Sequence, residues 1–148
     1  MGKRMTNLEG PFRVWVALKE LMKREGRQPD DEIATGGILR GQGVVSTAVT
    51  SLDLVTMRYT TLAPMITARR GHATAVVDDK LFMIGGYNNR DGRLSSVECL
   101  DLETWQWSEV APMSTRREAA DAAVLGGKIF VVGGFDDGNQ DLSSVESF

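Results

Sequence analysis

Few residues in this chain have side chains suited to catalysis, and their spacing limits the chemistry further. His72 is the single histidine and Cys99 the single cysteine among 148 residues. A nucleophile–base arrangement would rest on that one imidazole, and no spacing marks a partner for it. His72 opens one apolar, β-branched run and Cys99 lies inside another, so both are read as structural. One His and one Cys are too few of the ligands that zinc takes. Carboxylates are numerous, but none follows the spacing of a calcium loop. Gly36-Gly37 and Gly41-Gln42-Gly43 are glycine-rich, yet no Gly-Lys-Ser/Thr follows to cradle a phosphate. No catalytic residue, metal or cofactor is expected, and the chain is read as a non-enzyme.

What remains is recognition chemistry. Arg69, Arg70, Asn88, Asn89, Arg90, Arg93, Arg116, Arg117, Asp136, Asp137 and Asn139 crowd into four short polar stretches. Such side chains contact a peptide through charge-assisted hydrogen bonds. The paired arginines suit an acidic partner, while Asp136-Asp137 makes the surface mixed. Two structural readings stand beside this one. Asp91-Gly92 and Asp137-Gly138 are also turn formers, and the arginines could bridge neighbouring sheets.

The elements that carry these stretches repeat with a period of 48. Ala63-Pro64-Met65 returns as Ala111-Pro112-Met113, Gly85-Gly86 as Gly133-Gly134, and Leu94-Ser95-Ser96-Val97-Glu98 as Leu142-Ser143-Ser144-Val145-Glu146. Aligning residues 63–100 with 111–148 gives 16 identities without a gap. An eroded copy precedes them, with Gly36-Gly37 in the double-glycine place and residues 49–54 matching 97–102. Within the complete copy, strands are expected at 72–77, 81–84, 96–102 and 105–110. Asp78-Asp79 and Gly126-Gly127 separate the first two strands of successive copies, the pattern of a two-residue hairpin. Residues 81–84 are apolar without alternation, so that strand should be covered on both faces. A sheet apolar on both faces has to stack on neighbours.

These residues resemble the kelch repeat: a double glycine after the second strand, Ser-Val-Glu in the third, Trp107 in the fourth, and Ala-Pro-Met before an arginine. The period is near the ~50 residues of that class. The resemblance covers residues 33–148, with departures: Leu100 and Phe148 stand where the family often has tyrosine, and the first copy lacks that tyrosine and the tryptophan. The fold implied is all-β, a partial kelch β-propeller of about two and a half four-stranded antiparallel blades. Its divisions are a degenerate partial blade at 33–65, a complete blade at 66–113 and a truncated blade at 114–148. Propellers close from about 4–8 blades. The chain is therefore expected to be a fragment or short isoform, or to have its exposed blade faces covered by self-association.

In kelch propellers resembling this one, partners dock on two loop sets, here 66–70 with 114–118 and 87–93 with 135–141. The resemblance implies a protein partner bound through these loops, as a peptide or degron-like segment. Similar repeats occur in substrate adaptors of cullin-based ubiquitin ligases; their BTB and BACK domains do not fit within residues 1–32. Other kelch proteins bind actin, and some kelch propellers belong to enzymes, but no matching ligand set stands here.

Charge and the N-terminus complete the reading. Residues 1–29 carry seven Lys/Arg against three Glu, and residues 30–148 carry ten against seventeen acids. The acidic body argues against nucleic acid, whose phosphates need a basic face. Residues 1–32 are expected to be a separate segment, with a short amphipathic helix at 11–27. Pro11 begins it, Gly26 stands near its end, and Val14, Leu18, Leu21 and Met22 line one side. Its expected role is packing on the repeats; membrane attachment, by that helix or by the Met1-Gly2 myristoylation pattern, is not expected. No secretory signal is read, and the cytoplasm is the expected location.

Overall fold

The computed structural model describes residues 31–35, 38–39, 44–53 and 58–148. The helix expected over 11–27 lies outside the described residues. The first blade is the antiparallel sheet β1-β4-β5, made of β1 (Asp31–Thr35), β4 (Val49–Asp53) and β5 (Tyr59–Thr61). A small ribbon of β2 (Ile38–Leu39) and β3 (Val44–Val45) links β1 to β4.

The second blade has four strands in the order β11-β10-β7-β6. These are β6 (Ala73–Val77), β7 (Lys80–Ile84), β10 (Val97–Asp101) and β11 (Trp107–Val110). Between β7 and β10 lies a second ribbon, β8 (Tyr87–Asn88) with β9 (Gly92–Arg93). The third blade is β12-β13-β14: β12 (Asp121–Leu125), β13 (Lys128–Val132) and β14 (Val145–Ser147). All strand pairs are antiparallel. The β-architecture and the repeated blades agree with the reading of the sequence.

The turn chemistry explains the hairpins. Asp78 and Asp79 have φ of 47° and 57°, and Gly126 and Gly127 have 60° and 74°. Two successive left-handed residues make the turn whose twist matches that of the flanking strands. The expected strand starts hold to within one residue except in the fourth strand. Trp105 has φ of 58° and lies in a turn, so the fourth strand begins at Trp107. The cause is local: Asp101 Oδ1 accepts from the backbone N–H groups of Glu103 and Thr104 at 3.0 and 2.9 Å, which curls the chain before it can extend. These same hydrogen bonds hold the Asp101 carboxyl down at about 2.

Stacking supplies the two apolar cores. Leu81 and Met83 of β7 join Val49, Met65 and Leu100 between the first and second blades, with Trp107 against them. Ile84, two residues further from Phe82 on the opposite side of β7, joins Ala73, Ala75, Val97, Met113, Ile129 and Val131 between the second and third. A strand apolar on both sides is thus buried on both sides, and truncating one such side chain to Ala costs about 2–5 kcal/mol. Met65 and Met113 fill one interface each, which accounts for the recurring Ala-Pro-Met.

The backbone between blades repeats as the sequence does. Met65 N donates to Thr47 O at 2.9 Å, and Met113 N to Ser95 O at 2.8 Å. Arg69 N donates to Ser46 O at 3.3 Å, and Arg117 N to Leu94 O at 3.1 Å. Trp107 Nε1 reaches back to Ala63 O at 2.9 Å. The third blade's outer residues Val132 and Val145 are exposed, while their counterparts Ile84 and Val97 in the second blade are buried.

Candidate protein-interaction face

One end of the blades carries the loops singled out in the sequence, and it is built from a buried base outward. At the base, Arg69 enters its own blade and is fully buried. Its Nη1 donates to Gly85 O at 2.7 Å and Ser96 O at 3.1 Å, and its Nη2 to Ser96 Oγ and to Glu98 Oε1. Glu98, itself 1% exposed, also accepts from the backbone N–H groups of Ile66 and Thr67 at 2.6 and 3.2 Å. One buried ion pair therefore ties the loop arriving from the first blade to the third strand of the second. Burial pushes the Arg69 guanidinium below its ordinary value, against the opposing pull of Glu98, and it remains the charged partner.

Arg117 does the same in the third blade, bonding Gly133 O, Ser144 O, Ser144 Oγ and Glu146. Glu146 accepts in turn from Ser114 and Thr115. Burial alone would raise the Glu146 carboxyl; the hydrogen bonds from Ser114, Arg117 and Thr115 outweigh it and hold the group at about 2.

Arg69 and Arg117 were placed on the partner surface by sequence, but their side chains point into the blades and offer nothing to a partner. The bridging alternative also changes form, since each side chain bonds its own blade while its backbone N–H spans to the previous one. Asn88 is also buried: its Oδ1 accepts from Arg90 N and Asp91 N at 3.0 and 2.6 Å, so it shapes the β8–β9 turn. Gly92 completes that turn with φ of 73°. Asp136 is turn-forming in the same manner, accepting from Gly138 N and Gln140 N.

The other candidates come together at the surface. Arg70 lies 4.5 Å over the Tyr87 ring. Arg93 donates Nη2 to Asn139 Oδ1 at 2.5 Å, joining the second and third blades. Arg116 donates to Asp91 O and Arg93 O at 3.0 and 3.1 Å and faces Asp137 at 3.8 Å. Arg90 is almost fully exposed, and Asn89 is exposed beside it. Four residues outside the candidate set belong here: Tyr87, Glu118, and the exposed apolar Ile66 and Phe135. An aromatic residue directly after the double glycine in both copies was the available signal for Tyr87 and Phe135. The arrangement offers guanidinium and amide donors beside exposed apolar groups, the mixture a peptide-binding surface uses. Among the described residues, no three His, Cys, Asp or Glu side chains cluster as metal ligands would.

Comparison with known proteins agrees with this architecture. The family model described as the Kelch motif matches residues 68–114 and 116–148, together more than half of the chain. Kelch-like protein 13 of Mus musculus is 39% identical over 59 residues, which are 40% of this chain and 9% of that protein. Kelch-like protein 9 of Mus musculus is 37% identical over 59 residues, 40% of this chain and 10% of that protein. The match spans about a tenth of the length of either relative. The chain belongs to the kelch-repeat family, and its stacked blades make a protein-interaction module.

Proposed function

We propose that this module binds a peptide segment of a partner protein on the loop face spanning the second and third blades, in the manner of a substrate-recognition element. The observation that carries the reading is a division of labour among look-alike residues. Arg69 and Arg117 hold the scaffold, which leaves Arg90 and Arg116 exposed and Arg70 and Arg93 partly exposed on the loops, where Ile66 and Phe135 are also at the surface. Loops on a rigid sheet are where such folds place function. The likeness to Kelch-like proteins supports the finer reading, in which the bound segment is a substrate selected for a cullin-based ubiquitin ligase.

The test compares two surface variants in affinity capture followed by binding of the purified partner. Arg90→Ala with Arg116→Ala and Phe135→Ala should keep the melting temperature and lose the partner. Glu103→Ala with Gln106→Ala, at the opposite end of the blade, should keep both. Equal loss by the two variants would place binding elsewhere. Co-sedimentation with actin filaments that depends on the loop variant would replace the substrate reading with a cytoskeletal one.

A further inference from the structure

The third blade turns toward solvent the same face that the second blade keeps covered. In the second blade, Ala73, Ala75, Ile84 and Val97 are buried against Met113, Ile129 and Val131, with Val77 and Phe82 packed beside them. Advancing each of these blade positions by 48 residues gives Asp121, Ala123, Val132 and Val145, with Leu125 and Phe130. The strand register sets all six side chains on one side of the sheet. Ala123 lies opposite Phe130, and Val132 stands between Asp121 and Val145. Yet Leu125, Val132 and Val145 are 73%, 46% and 54% exposed. Repeats that meet water at the end of a stack carry polar outer faces. Here five of the six positions stay apolar, as they are in the covered face. The pattern is that of a stacking surface.

Two charges on this same side decide what covers it. Asp121 lies at one end of β12, and Lys128 lies at the other end of the sheet, opposite Leu125. Both are exposed. A twofold axis running across the strands, between two such faces, reverses the strand direction in the second copy. Each Asp121 then stands at the level of the other copy's Lys128, and the apolar centres meet. An axis along the strands would gather like charges at the same end instead. The face is thus complementary to itself in one orientation.

We propose that two copies of this chain pair through the outer faces of their third blades, about a twofold axis that runs across the strands. Such self-complementary pairing is the commonest symmetry of homo-oligomers. It continues the apolar stacking that already joins the second blade to the third. Three strands of three to five residues make a smaller contact than the ~800 Å² per partner of a standard interface. The dimer is therefore expected to dissociate on dilution through the micromolar range.

The experiment is sedimentation equilibrium of the full chain from low to high micromolar concentration. The mass should rise from 16.2 kDa toward twice that value. Val132→Asp should keep the melting temperature and hold the mass at that of one chain. Asp121→Lys alone and Lys128→Asp alone should each weaken the dimer roughly two- to tenfold, the worth of two exposed ion pairs. The two changes combined should restore it, which a heterologous contact or a merely apolar one would not do. A wild-type protein that stays monomeric throughout overturns the proposal, as does a dimer untouched by Val132→Asp. Growth beyond the dimer, or a combined variant weaker than either single one, overturns the twofold pairing. If Val132→Asp does not fold, the charge exchange decides alone: restoration supports the interface and its absence overturns it.

Discussion

Arg69 and Glu98 form an ion pair in which both side chains are 1% exposed, and this one contact joins the loop that leads into the second blade to the third strand of that same blade. The corresponding pair in the third blade, Arg117 and Glu146, has its arginine buried but leaves Glu146 18% exposed. That difference in burial makes their energetic weights unequal.

Removing one partner of a buried pair leaves the other charge uncompensated, at a cost of about 3–5 kcal/mol. Glu98→Ala should therefore lower the urea midpoint by that equivalent. Glu146→Ala should cost distinctly less, because water reaches the site and screens the arginine left behind. Equal losses would mean that the two pairs carry the same load.

The Asp78-Asp79 turn places two side chains in left-handed backbone, where the third blade has Gly126-Gly127. Asn-Gly is the sequence this turn favours most. Replacing Asp78 by Asn and Asp79 by Gly should raise stability by roughly 0.5–1 kcal/mol. A lower melting temperature would show that the aspartates do something beyond making the turn.

Gly85 and Gly133 share a left-handed conformation, with φ of 63° and 68°, but not a neighbourhood. A Cβ on Gly85 would stand 2.6 Å from Arg117 O and 2.8 Å from the Met113 side chain, whereas on Gly133 the nearest atom is Leu142 O at 3.4 Å. Both Ala variants carry the backbone strain of about 1–2 kcal/mol. Gly85→Ala should also push the second and third blades apart. Its unfolding midpoint should fall clearly below that of Gly133→Ala.

His72 should hardly titrate in the folded protein above pH 4. Burial, and then the nearby Arg69 charge, hold its imidazole at about 3 instead of 6.5. The unfolded chain takes up this proton first. Stability is therefore complete above pH 6.5 and falls as the pH drops from 6.5 toward 3, by at most about 1.4 kcal/mol per pH unit. Glu146 adds to the loss only lower, as the pH falls from 4.5 toward 2. As the single histidine, His72 gives one imidazole signal in proton NMR. A folded-state midpoint near 6.5 would show that His72 is not desolvated.

The sequence by itself determined the blade plan. Period, double glycines, two-residue turns and strands apolar on both sides are local features, legible because strand alternation and turn conformation depend on residues close together in the chain. The short β8–β9 ribbon was not legible, because Asn88 looks like any polar loop residue until its side chain is seen capping Arg90 and Asp91. Tertiary structure decided which arginines are scaffold and which are surface. Arg69 and Arg70 are adjacent and of one type, yet the first is drawn inward by the Glu98 carboxylate from another strand and the second lies outside on Tyr87. Successive residues of an extended chain point opposite ways, so their fates depend on what the fold brings to each side. Glu118 is the clearest case: nothing near it in sequence announces that Arg70 and Arg93, from the neighbouring blade, will both face its carboxylate.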